Sequence, residues 1–209
     1  MAFLAVLKLI LLPLIPVTLP YARRWATAAP PSLPRLQDVL SFCQEHQFAG
    51  VTKRWPADYL KGISLQLFDR IPGPPLGEWP VVSRFKRFNE FQELESAAMA
   101  LPGKVLMRHD SIVESTLFHE LVHTVQWRVL GPERFLVVYA CGLLEHGYED
   151  SPLEAMAYEL EGQMRKRRKG RQGDMDEVQT VEGLTLQLLE NFQKQSWINR
   201  TALWIAQRV

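Results

Sequence analysis

The stretch "DSIVESTLFHELVHTVQWRVLGPE", residues 110 to 133, constrains the fold more than any other part of the chain. Ser111 and Glu114 fit the S-x-x-E capping pattern of a helix start, and Gly131-Pro132 supplies a stop. Between them Val113, Leu117, Leu121 and Val125 give the segment an apolar face. On such a helix His119 and His123 lie one turn apart on one side, so both imidazoles can be aimed at a single ion. Glu120 is turned about 100° from His119 and stands beside that ion rather than on it. Two neutral nitrogen donors with an adjacent carboxylate base form the donor set of a hydrolytic zinc site. A chain built this way must bring a third ligand to the same place.

Catalytic zinc commonly takes three protein ligands and keeps a fourth position open. A histidine six residues past His123 would give the metzincin pattern, but Val129 stands there. The downstream candidates are Glu145, His146, Glu149, Asp150 and Glu154. The interval after His123 is long enough for one helix, from Pro132 to Gly147, to run back. A third helix, with Ser151 as cap and Pro152 in its first turn, would then start near the site. Ser151 and Glu154 also fit S-x-x-E, so Glu154 can instead cap its own helix. The third ligand therefore stays open among these residues, Glu154 first and His146 next.

"FHELVHTVQW", followed by "HGYEDSPLEAMAY", resembles small bacterial zinc metallopeptidase-like proteins of the gluzincin type. In that group the H-E-x-x-H helix is followed by one that begins with a motif like Y-x-x-[NS]-P-x-E-x-x-A-Y. The resemblance runs from about Gly103 to Gln163 and implies a zincin-like fold. It implies His119 and His123 as ligands, Glu120 as general base and Glu154 as the third ligand. Ser151 stands where asparagine or histidine is common, a departure that does not touch the ligands. The resemblance brings no substrate with it. Tyr148 and Tyr158 can each donate a hydrogen bond to a developing oxyanion or simply pack. The "GY" placement makes Tyr148 the catalytic candidate of the two.

Around this centre the sequence predicts an α+β domain, mostly helical, with a small sheet preceding the motif helix. "PRLQDVLSFCQEHQ" (34–47) has helical spacing, "GISLQLF" (62–68) alternates like a strand, and "RIPGPPLGEWP" (70–80) reads as a loop. Residues 81–95 fit strand or helix. "AAMALPGKVLMR" (97–108) predicts two strands about the Pro102-Gly103 turn, with a sheet edge that could receive an extended substrate. A C-terminal helical stretch is expected from Glu177 to about Gln207. His46 and His109 are isolated and read as surface or loop residues.

The chain has 209 residues, 47% of them hydrophobic, enough for one sizeable core, and its net charge of +1 gives no argument for nucleic acid. Cys43 and Cys141 do not make a disulfide framework or a thiolate zinc site and read as buried thiols. "RKRRKGR" (165–171) reads as a solvated helix end, with contact to anionic lipid as the alternative.

Residues 2–22 are apolar except for Lys8 and Thr18, and Arg23 and Arg24 follow. As a helix, the segment approaches the roughly 20 residues needed to cross a bilayer. The arginines favour a retained anchor with the following domain in the cytoplasm. A cleaved signal ending near "ATA" (26–28), with export, and a monotopic or core segment are the alternatives. The expected organisation is thus a membrane-associated segment or signal at 1–25, a linker at 26–34 and a zincin-like domain at 35–209 with a C-terminal helical extension. The expected activity is that of a zinc-dependent peptidase acting on a peptide or protein substrate, membrane-associated through residues 2–22. The alternative is a membrane-associated zinc-binding or interaction protein whose site is structural or inactive, and a third reading is a metal-free helical scaffold.

Overall fold

A computed structural model of the chain describes residues 15–27, 37–71, 96–167 and 177–208. The expected loop beyond Ile71, the ambiguous stretch 81–95, residues 1–14, the linker from Ala28 and the basic run past Arg167 lie outside the described residues. In chain order the elements are helix α1 (Ile15–Thr27), strand β1 (Gln37–Asp38), helices α2 (Val39–Glu45), α3 (Ala49–Thr52) and α4 (Ala57–Gly62) and strand β2 (Ser64–Phe68). Strands β3 (Ala98–Leu101) and β4 (Lys104–Arg108) follow, then helices α5 (Glu114–His146), α6 (Pro152–Arg167), α7 (Glu177–Gln195) and α8 (Trp197–Ala206). The architecture is α+β, mostly helical with one small mixed sheet.

The sheet order is β1-β2-β4-β3. β3 and β4 form the hairpin that Pro102-Gly103 predicts, and β2 lies parallel to β4, with Leu65 opposite Val105 and Leu67 opposite Met107. Alternation along β4 divides its side chains between two cores. Val105 and Met107 join Leu117, Phe118, Leu121 and Val125 in one cluster, whereas Leu106 joins Trp127, Leu130 and Phe135 in the other. Each fully buried side chain of this size contributes about 1.5–3 kcal/mol.

Helix α5 is the central element, packed against β3, β4, α1, α6, α7 and α8. Its first half is buried on nearly every side, so the apolar face read from the sequence is only part of what it covers. The stop expected at Gly131 appears as a sharp break, with Gly131 at φ 72°, a left-handed conformation that favours glycine. Pro132 then starts the second arm, which runs back as expected to His146.

The expected capping box at Ser111 and Glu114 does not form. The N-cap is Val113, with no side-chain cap hydrogen bond, and the Ser111 hydroxyl donates to Asp110. The Glu114 carboxylate instead accepts the backbone N–H groups of Gly50 and Val51 at the start of α3. Two converging amides in a buried setting outcompete a single local one. The first predicted helix also begins later, because Gln37 and Asp38 pair with β2 and Asp38 caps α2 through Ser41 N. The expected C-terminal helical stretch divides at Ser196, whose hydroxyl oxygen accepts Asn199 N–H and starts α8. Asn199 Nδ2 in turn donates to Phe192 O, satisfying a carbonyl near the end of α7.

Helix α1 runs through Thr27, into the expected linker, and contains Pro20. Leu19 and Ala26 are buried in the cluster formed with Phe135, Val138, Leu203 and Ala206. Arg23 pairs with Glu133 of α5 at 2.9 Å. Among the described residues, no helix is long and apolar enough to cross a membrane.

Cys43 is a buried thiol as expected, whereas Cys141 is only half-buried. Burial, reinforced by the charges of Glu114 and Asp38, pushes the Cys43 thiol up to about 12. At pH 8 only about one molecule in ten thousand then carries the thiolate. Alkylation of Cys43 by iodoacetamide is expected to be at least about a hundredfold slower in the native chain than in urea. Peptide mass spectrometry reads this, and equal rates would show that the α2 packing is loose.

Candidate metal centre

Helices α5 and α6 build the centre together. The α5 spacing places His119 and His123 on one side, and the close approach of α6 brings Glu154 opposite them. A Cβ at Gly142 would lie 2.9 Å from Pro152 Cδ, so a glycine on the second arm of α5 permits this approach. His119, His123 and Glu154 are 7%, 6% and 3% exposed.

Three atoms converge. His119 Nε2 is 3.0 Å from His123 Nε2 and 3.2 Å from Glu154 Oε2, and the third edge, His123 Nε2 to Glu154 Oε2, is 3.3 Å. A tetrahedral ion with bonds of about 2.0–2.1 Å separates its ligand atoms by about 3.3–3.4 Å, close to these edges. This buried group could hold a metal ion.

The surrounding hydrogen bonds favour the same use. Gln126 Nε2 donates to Leu153 O at 3.1 Å, which turns its Oε1 towards His123 Nδ1 at 2.7 Å. His123 Nδ1 therefore carries the proton and Nε2 presents a lone pair to the centre. His119 Nδ1 lies 3.4 Å from Glu161 Oε2, within ion-pair range but without hydrogen-bond geometry. That carboxylate draws the His119 proton to the outer nitrogen. Tyr139 donates its hydroxyl to Glu154 Oε1 at 2.9 Å. Each of the three residues thus has its own orienting partner, the arrangement that tunes protein metal sites.

Electrostatics point the same way. Burial alone would depress the His119 imidazolium, but Glu154 and Glu161, helped by Glu120, push it up to about 9. Burial would raise Glu154, yet the two histidines hold it well below the usual carboxylate range. Glu161 is lowered because His119 and Arg165 outweigh its burial, and Arg165 also donates to Ser115. With neutral imidazoles and ionised acids, Glu120, Glu154 and Glu161 gather negative charge at the centre, and Arg165 pairs with Glu161. The excess of negative charge suits a divalent cation.

Glu120 stands outside the triangle but interacts with all three of its members. Burial raises its pKa, and Ala100 N–H donates to its carboxylate. Trp127 Nε1 donates to Ala100 O at 3.0 Å. The sheet edge expected to receive a substrate is therefore β3, and at Ala100 both of its backbone groups are already engaged by α5.

Tyr148 is exposed on its ring, and burial together with the charge of Glu154 pushes its hydroxyl above the usual phenol range. The Tyr158 ring lies 4.6 Å from that of His119 and is also exposed, so both tyrosines flank the centre. His146 is not part of the group; it is exposed at the end of α5 beside Glu145. Glu145, Glu149 and Asp150 do not join it either. The alternative of Glu154 as a helix cap fails, since Ser151 Oγ has no hydrogen-bond partner among the described residues and Glu154 is turned to the histidines.

Gln126, Tyr139 and Glu161 were not legible as site residues. The available signals were positional: Gln126 is one turn beyond His123, and Glu161 is two turns beyond Glu154. Replacing Gln126 by leucine is expected to weaken the binding of a divalent metal ion about 10–100-fold, read by competition with a chromophoric chelator. Unchanged affinity would show that Gln126 does not set the His123 tautomer.

Comparison of the chain with family models, curated proteins and solved structures found no match.

Proposed function

We propose that the chain is a zinc-dependent peptidase with a zincin-like centre, in which His119, His123 and Glu154 hold the metal. The observation that carries the reading is the buried triangle of two imidazole nitrogens and one carboxylate oxygen, with a second carboxylate beside it. Among the described residues the group has three members, which favours a site with an open position over a structural site closed by four ligands.

A zinc ion bound there supplies Lewis acidity, making water acidic near neutral pH and polarising a carbonyl. The chain's own residues do the rest. Glu120, a buried base with a raised pKa, accepts the proton of the attacking water and returns it to the leaving amide nitrogen. Its hydrogen bond from Ala100 fixes the carboxylate beside the centre. Tyr148 has a rotatable hydroxyl and donates to the carbonyl oxygen as charge develops on it. Gln126 and Glu161 keep the histidine lone pairs directed inward.

Hydrolysis of a casein panel is expected to cease on treatment with a strong chelator and to return when zinc is restored. Hydrolysis that survives complete removal of metal would contradict the proposal.

A further inference from the structure

Helix α8 has two faces of opposite character. Ile198, Asn199, Ala202, Leu203 and Ala206 are buried, and the helix packs against α1, α5 and α7. On the other side Trp197, Arg200, Trp204 and Arg208 recur every three or four residues and so form one stripe. Trp197 and Trp204 are 55% and 54% exposed, and Arg200 and Arg208 are exposed beside them. The Arg208 guanidinium stacks 3.8 Å from the centroid of the Trp204 ring.

An indole flanked by guanidinium groups suits the boundary of an anionic bilayer. The ring enters the upper acyl region, while its N–H and the cation stay with the phosphates. The position of the stripe in the chain supports this occupant. α8 packs on α1, and residues 2–14, which lead into α1, carry no charge except Lys8. Arg24 adds an exposed cation on α1 itself. The apolar residues 2–14 thus precede, in sequence, the helix on which the stripe-bearing α8 packs.

We propose that the face made by Trp197, Arg200 and Trp204 of α8, with Arg208 just past its end, docks on an anionic lipid bilayer. The docking does not depend on what the metal centre does.

The test uses the full chain reconstituted in phosphatidylcholine–phosphatidylglycerol vesicles, with Trp197→Phe/Trp204→Phe identifying the signal of these two indoles by difference. That signal is expected to be quenched by lipids brominated high on the acyl chains. Its quenching by aqueous iodide should fall by about threefold or more relative to the chain in detergent. Arg200→Glu/Arg208→Glu, with circular dichroism unchanged, should restore iodide access, because each lost arginine weakens contact with an anionic surface about fivefold. Equal iodide access with and without the bilayer would overturn the proposal. So would shielding that follows protein concentration in the absence of lipid, which would assign the face to a second copy of the chain.

Discussion

Replacing Glu120 by glutamine is expected to slow peptide hydrolysis by a factor on the order of 10²–10⁴ while leaving the zinc content at its wild-type level. The reasoning is local. Glutamine keeps the size of the side chain, and its amide oxygen can still accept the hydrogen bond from Ala100, so the contact between α5 and β3 survives. What disappears is the ability to take a proton from water. Because Glu120 lies outside the triangle of converging atoms, removing its charge should not release the metal. Parallel measurement of zinc content and casein hydrolysis separates the two effects. Loss of zinc together with activity would make Glu120 a structural residue and remove the proposed mechanism.

Replacing Glu154 by alanine is the second large effect. It takes away the only acidic member of the triangle and leaves His119 Nε2 and His123 Nε2 facing each other at 3.0 Å. Loss of an orienting partner typically weakens a metal site 10–100-fold, so loss of a ligand should exceed about a hundredfold. Tyr139 also loses its acceptor, which costs about 1–3 kcal/mol if nothing replaces it. Glu154→Gln retains an acceptor for Tyr139 while lacking the charge, and it distinguishes metal loss from a weakened fold. Competition against a chelator of known strength reads the affinity in both variants. Zinc affinity equal to that of the wild type would exclude Glu154 as a ligand.

The parts of the fold that were legible in the sequence are those set by local chemistry. Pro102-Gly103 announced the β3–β4 hairpin, Gly131-Pro132 the break in α5, and the four-residue spacing of His119 and His123 their common direction. Errors arose where a distant partner captured a local signal. Ser111 and Glu114 have the form of a capping box, but amides 63 and 64 residues away claim the glutamate. Ser151 and Glu154 have the same form, but there the glutamate, read first as the third ligand, turns to the histidines of another helix. The division at Ser196 within the expected helical stretch is not marked by composition, because apolar residues continue on both sides of it. The return of α6 to α5 depends on the small side chain at Gly142, whose role cannot be seen until Pro152 is placed against it. Gln126, Tyr139 and Glu161 were hidden for a related reason. Their importance lies in which ring nitrogen or carboxylate oxygen they face, a three-dimensional property with only a weak trace in spacing.

X-ray absorption at the zinc edge of the loaded full chain tests the central claim most directly. The account predicts one zinc per chain, bound by two imidazole nitrogens and by oxygen donors at about 2.0–2.2 Å, with no sulfur. A chain that takes up no stoichiometric zinc, or a spectrum showing thiolate or a third imidazole, would contradict it.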